Sequence, residues 1–354
     1  MTASFDDPFL RNIGLLLTYK CTVACPHCIV EAGPHRKEEM SFEEAINWID
    51  QAGAYRNGHI LGLALTGGEP FYDLPKLKQI SEYAQRKGFI VTVVTNGYWA
   101  TAKDDALRVL EDLPAIKMIS LSTDVYHQKA IPLENIKNGI WAANKTGRLH
   151  NVAVCTDNQE NMQFKQIMEE LRGVDEEKNV RVAITFPVGR AQKYESHLTH
   201  KMIEEPSIGA CNSANSPVIF PNGNVIACIG PVFSLTSQNP LFLGNVREES
   251  LQSILDRAEV NPLLHVVRVW GPQKLVALLK EHGYGELLPK EYIENCICDG
   301  CYKLLSDKRI ASALQDLLKS KEILRIIAYA RVFYFSEDRM VTQLKLNKVR
   351  QRTR

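Results

Sequence analysis

Short apolar runs alternate along the first half of the chain with longer stretches whose apolar positions recur every three to four residues. The runs are Ile13–Thr18, Ile60–Thr66, Phe89–Thr95, Ile116–Ser122, Val152–Thr156 and Val180–Phe186. They have strand length. Between them, amphipathic patterns near 41–55, 75–87, 102–112, 134–147 and 160–172 predict helices. Ser41, followed by Glu43 and Glu44, reads as a helix start with acids in its first turn. Strand and helix in alternation imply parallel βαβ units. Six strands fit an open (β/α)6 barrel within an α/β fold. In barrels of this kind the chemistry gathers at the C-terminal strand ends.

After residue 190 the texture changes. Residues 191–210 are polar, and 211–310 carry Pro- and Gly-containing hairpin signals and five of the nine cysteines. From 308 to 335 the pattern is helical, with Ile310, Leu314, Leu317, Leu318, Leu324 and Ile327 on one face. The division this suggests is a barrel over 1–200, a small cysteine-bearing domain over 201–307, and a C-terminal helix with a basic tail over 308–354. The tail holds Lys345, Lys348, Arg350, Arg352 and Arg354 and reads as a solvated end or a contact for an acidic partner.

With 354 residues the chain is long enough for a full domain and a smaller one. Apolar residues make up 45% and charged residues 23%, which argues against disorder. A net charge of +1 gives no reason to expect a nucleic-acid partner. No basic segment followed by an apolar one marks the N-terminus as a secretion signal, and no apolar run reaches the roughly 20 residues of a bilayer span. A cytoplasmic protein is the expectation, its cysteines reduced and available to bind metal.

The chemistry lies in those cysteines. Cys21, Cys25 and Cys28 form a C-x3-C-x2-C triplet on one loop directly after the first strand. Thiolate is the soft ligand selected by iron–sulfur clusters. Zinc would want a fourth ligand, and His27 is too tightly placed between two cysteines to be a natural one. Three core cysteines would not fall together on one Pro-containing loop. This triplet, with Gly67-Gly68-Glu69-Pro70 after the second strand, resembles the radical SAM superfamily. The resemblance implies a [4Fe–4S] cluster held by Cys21, Cys25 and Cys28, with one iron open to chelate S-adenosyl-L-methionine (SAM). It implies that Gly67, Gly68 and Glu69 hold the SAM amino group. Asn96 and Ser122 would meet its ribose and carboxylate, with Asp124 beside them. His27 would pack near the adenine. Arg190, in Gly189-Arg190-Ala191, would approach the SAM carboxylate. The alternative readings are an Asn-Gly turn and polar strand end for Asn96 and Ser122, and a surface arginine for Arg190.

A second cysteine set follows. Cys211 and Cys228 read C-x11-G-x4-C, with Gly223 in the turn Pro221–Asn224. Further on stand Cys296, Cys298 and Cys301. This resembles the SPASM and Twitch domains, and one cluster's worth of ligands fits Twitch better. The implied ligands of an auxiliary [4Fe–4S] cluster are Cys211, Cys228, Cys298 and Cys301, with Cys296 able to replace Cys298. Four cysteines would equally suit structural zinc. Cys155, at the end of the fifth strand, is either a small buried apolar residue or a hydrogen-atom donor.

The resemblance extends to radical SAM peptide-modifying enzymes, among them peptide epimerases. It implies formation of a 5′-deoxyadenosyl radical, which abstracts hydrogen from a C–H bond of a ribosomally synthesised peptide. The outcome would be epimerisation, oxidative crosslinking or dehydrogenation, with a flavodoxin or ferredoxin as electron donor. Ile229 stands where those epimerases carry a thiol beside an auxiliary-cluster cysteine, so Cys155 or Cys296 would have to supply one. The alternative is a dehydrogenase or deoxygenase acting on a small molecule such as a sugar or aminoglycoside.

Overall fold

The computed structural model describes residues 9–235 and 239–335. The chain falls into two compact units, one of Asn12–Lys201 with Ile219–Gly223, the other of the remaining residues.

The first unit is built on six strands in chain order: β1 (Asn12–Leu16), β2 (Gly62–Thr66), β3 (Ile90–Thr95), β4 (Ile116–Asp124), β5 (Leu149–Thr156) and β6 (Val180–Ile184). Each pairs in parallel with the next. Parallel pairs need a crossover between them. Four are spanned by α1 (Phe42–Ala54), α2 (Leu74–Arg86), α3 (Lys103–Glu111) and α4 (Leu133–Lys145), and the fifth by α5 (Met162–Arg172). The α/β class and the alternating (β/α)6 order are as the apolar pattern predicts. Ser41 caps α1 as expected. Its hydroxyl accepts from the Glu44 amide at 3.0 Å, and the Glu44 carboxylate accepts from the Ser41 amide at 2.9 Å.

The core lies between sheet and helices. Ile13, Leu15, Leu63, Leu65, Val91, Val93, Ile119 and Leu121 are buried from the sheet, and Ala45, Ile49, Leu77 and Ile80 from the helices. The strands align their C-terminal ends. Leu16 pairs with Thr66, Thr95 with Leu121, Asp124 with Cys155 and Thr156 with Ile184. The loops leaving these ends carry the triplet, Gly67–Pro70, Asn96, Asp124 and Arg190.

The second unit differs from the hairpin-rich region expected over 211–310. Short strands are present: β7 (Met202–Ile203), β8 (Val218–Ile219), β9 (Asn224–Ile226), β10 (Phe242–Asn245) and β11 (Tyr292–Ile293). The turn before β9 is as predicted, with Gly223 at φ +87° donating to the Phe220 carbonyl at 2.9 Å. But 251–281 is helical, as α6 (Leu251–Glu259), α7 (Pro262–Val269) and α8 (Pro272–Glu281). The prolines that read as turn signals sit in the first helical turn, where a missing N–H costs nothing. Ser250 and Asn261 cap α6 and α7. α9 (Ile297–Ser306), α10 (Lys308–Leu317) and α11 (Lys321–Phe335) follow, the last two separated at Leu318–Ser320. Ile310, Leu314, Leu318 and Ile327 are buried as their spacing predicts. The basic tail at 345–354 lies outside the described residues.

Candidate active site

The triplet loop leaves β1 and folds back on itself. Lys20 forms a parallel bridge with Gly33, the Cys21 amide donates to the Gly33 carbonyl at 3.3 Å, and the Gly33 amide to the Tyr19 carbonyl at 3.0 Å. Within this frame the Cys28 amide donates to the Cys25 carbonyl at 3.2 Å. Cys21 and Cys25 are buried and Cys28 is half-buried. Burial pushes the Cys21 thiol up to about 12, and Glu69 and the two neighbouring thiols add to the shift. Three thiols whose charges bear on one another suit a cation that would disperse that charge. Two already face N–H donors: the Ala32 amide lies 3.3 Å from Cys28 Sγ, and Asn96 Nδ2 lies 3.6 Å from Cys21 Sγ. Hydrogen bonds to ligand sulfurs are a known lever on such clusters. The donor set fits a [4Fe–4S] cluster.

Gly67 and Gly68 serve this loop directly. A Cβ on Gly68 would lie 2.2 Å from the Lys20 carbonyl oxygen, and one on Gly67, at φ +152°, 2.5 Å from that of Thr18. The Glu69 amide donates to the Lys20 carbonyl at 2.9 Å. The glycines therefore admit the backbone just ahead of Cys21, a close approach between two loops.

The Glu69 side chain is fully buried. It accepts from the Phe71 amide at 3.0 Å, the Thr95 hydroxyl at 2.8 Å and the Asn96 amide at 2.8 Å. Burial raises its carboxyl to about 7 against these hydrogen bonds, which favour the ionised form. It thus holds the end of β3, from which Asn96 reaches Cys21 and, at 3.2 Å, the Thr22 hydroxyl. Thr95 was not singled out in the sequence, yet it bonds Glu69 and also accepts from the Trp99 indole at 3.0 Å.

β4 ends in Ser122 and Asp124, two residues apart and so on one face. Ser122 is half-buried; Asp124 is fully buried. One Asp124 oxygen accepts from the Tyr126 and His127 amides at 2.9 Å each, and the other lies 2.8 Å from His127 Nδ1 and 3.4 Å from His27 Nε2. Burial opposes ionisation of Asp124, but the His127 hydrogen bond and the neighbouring imidazoles hold its carboxyl below the ordinary value. His27 stacks on Tyr126 with ring centroids 4.6 Å apart. Burial lowers His27 to about 4, and its Nδ1 is buried without a hydrogen-bond partner among the described residues. Such an orphaned polar atom suits a ligand edge with a matching donor or acceptor. His127 went unremarked as a site residue. The signal was there in Asp124-x-x-His127, a carboxylate followed by a turn that returns to it.

Cys155 joins the same cluster. Its Sγ and ligand atoms of His27 and Asp124 all lie within 4.8 Å of one another. Burial raises its thiol well above the ordinary value, and Asp124 adds to the effect. Arg190 lies at the triplet loop, its guanidinium donating to the carbonyls of Cys25 and Ala32 at 2.6 Å each.

In the second unit, Cys298 and Cys301 stand three residues apart at the start of α9, on one helical face. Burial raises Cys228, with Cys211 and Cys298 contributing. Burial likewise raises Cys301, with contributions from Cys211, Cys298, Cys228 and Cys296. The Cys211 amide is held by the Val267 carbonyl at 2.8 Å.

Comparison with known proteins adds the family. Residues 15–152 match the sequence profile of the radical SAM superfamily. Over those residues the chain carries a radical SAM domain. Its family implies a [4Fe–4S] cluster and SAM. It is 23% identical over 301 residues to YydG of Bacillus subtilis (strain 168), named provisionally as a peptide biosynthesis protein, covering 84% of this chain and 92% of that one. It is 28% identical over 123 residues to AlbA of the same organism, an antilisterial bacteriocin subtilosin biosynthesis protein, covering 35% of this chain and 26% of AlbA. Among solved structures it is similar to BtrN in complex with AdoMet and 2-DOIA. There the identity is 14% and the TM-score 0.41, over 73% of this chain and 87% of that one. Among the described residues no helix is long and apolar enough to cross a membrane.

Proposed function

We propose that this radical SAM enzyme modifies a ribosomally synthesised peptide, abstracting hydrogen from a backbone C–H bond and returning hydrogen from Cys155, a net epimerisation. The observation that carries this is the Cys155 thiol within 4.8 Å of His27 and Asp124 at the C-terminal strand ends. A thiol kept protonated by burial is a hydrogen-atom source and a poor nucleophile. The similarity to YydG, over most of both chains, supports a peptide substrate.

When bound, the cluster and SAM supply a 5′-deoxyadenosyl radical. The residues of this chain hold, orient and shield. Cys21, Cys25 and Cys28 would be the cluster ligands. Gly67, Gly68 and Glu69 would frame the SAM amino group, with Asn96, Ser122 and Asp124 toward its ribose and carboxylate. His27, stacked on Tyr126, offers its orphaned Nδ1 to the adenine edge. Cys211, Cys228, Cys298 and Cys301 would hold an auxiliary [4Fe–4S] cluster in a Twitch-like domain, with Cys296 the alternative to Cys298; the electrostatic effects among these five thiols support one shared site. Hydrogen transfer from Cys155 leaves a thiyl radical. One electron, from a donor of the flavodoxin or ferredoxin class, and one proton from solvent return it to the thiol.

The test is anaerobic turnover in D2O with the short peptide encoded beside the gene. One solvent deuterium gained per product, lost in Cys155→Ala while 5′-deoxyadenosine is still released, is the expected result. Loss of two hydrogens, unaffected by Cys155→Ala, would replace epimerisation with crosslinking or dehydrogenation. An unchanged peptide would move the substrate to a small molecule.

A further inference from the structure

The loop that carries the triplet is anchored from a distant point of the chain. Arg190 Nη1 donates to the Cys25 carbonyl and Nη2 to the Ala32 carbonyl, each at 2.6 Å, across 165 and 158 residues. The Arg190 amide donates to the Cys28 carbonyl at 3.1 Å. Gly189 makes this approach possible. At φ +58°, it stands where a Cβ would lie 2.3 Å from the Ile29 carbonyl oxygen and 2.8 Å from that of Cys28. One residue thus bonds three carbonyls spread over Cys25–Ala32, including those of two triplet cysteines.

We propose that Arg190 is a positioning residue, which clamps the loop so that Cys25 and Cys28 keep a fixed separation and which sets a permanent positive charge beside them. This differs from a role in gripping the SAM carboxylate. It rests on the reading that Cys21, Cys25 and Cys28 hold the cluster. A planar fork with two outer nitrogens can bridge two carbonyls; the single ammonium of lysine cannot. A fixed cation near the thiolates favours the reduced, more negative state of a cluster they hold, since net charge is one determinant of its potential.

Two variants separate fork from charge: Arg190→Lys keeps the charge and loses the fork, and Arg190→Gln loses both. The first readout needs no cluster. In the metal-free chain, amide hydrogen exchange across residues 21–34 should quicken at least about tenfold in both variants, with the β2–β4 amides unchanged. Exchange equal to wild type would overturn the clamp. This outcome can be read even if the cluster reading fails. In the reconstituted enzyme, both variants should lose SAM-site iron to a chelator faster than wild type, while SAM affinity of the loaded fraction stays near wild type. The midpoint potential of that site should fall in Arg190→Gln and hold in Arg190→Lys. Full iron retention, with SAM affinity weakened in both variants, would assign Arg190 to the SAM carboxylate instead.

Discussion

Glu69 is where single-residue physics bears hardest on the site. Its carboxylate takes three donors, yet burial lifts it to about 7 from an ordinary 4.5. A carboxyl raised in the folded state binds its proton more tightly folded than unfolded. Its contribution to stability is therefore full below about pH 4.5 and is lost as pH climbs to 7. Relative to Glu69→Gln, the metal-free wild type should lose roughly 3 kcal/mol of unfolding free energy across that window, measured by urea titration at several pH values. A difference flat with pH would show that Glu69 keeps an ordinary carboxylate pKa. The residue itself was legible in the sequence as part of Gly67-Gly68-Glu69-Pro70. Its partners Thr95 and the Asn96 amide were not, because they come from the next strand and meet it only once β2 and β3 are paired in register. His127 was missed for a related reason. Its place is set by the turn that returns it to Asp124, not by any spacing among cysteines.

Elements were legible where burial imposes a period. The six strands of the first unit and their connecting helices follow their apolar runs, and Ser41 marks the start of α1. α6 to α8 were hidden, because Pro262 and Pro272 read as breaks although proline suits the first turn of a helix. The loop after β2 allows a test at this scale. Gly68→Ala would drive a Cβ against the Lys20 carbonyl oxygen. It should destabilise the metal-free protein by about 1–3 kcal/mol in chemical denaturation and deplete SAM-site iron. An alanine variant with unchanged stability and iron would mean that the two loops do not abut. In the second unit, α9 presents Cys298 and Cys301 one turn apart. Cys298→Ser should deplete auxiliary iron and Cys296→Ser should leave it, judged by iron and sulfide content. The reverse result would make Cys296 the ligand.

For the whole molecule, the chain falls into two compact units, one of Asn12–Lys201 with Ile219–Gly223 and one of the other described residues. The first unit has a buried parallel sheet, while the second is made of short strands and capped helices and carries a second cysteine set. Each carries its own thiols, so the two sets should be separable. On the proposed function, the loop after β1 holds the cluster that cleaves SAM. The most direct test is anaerobic reconstitution of wild type and of the Cys21→Ala, Cys25→Ala, Cys28→Ala triple variant, with iron counted and 5′-deoxyadenosine measured after reduction in the presence of SAM. Wild type should release 5′-deoxyadenosine, and the triple variant should release none while keeping about half the iron, in the other set of thiols. Release of 5′-deoxyadenosine by the triple variant, or its failure from a fully loaded wild type, would contradict it.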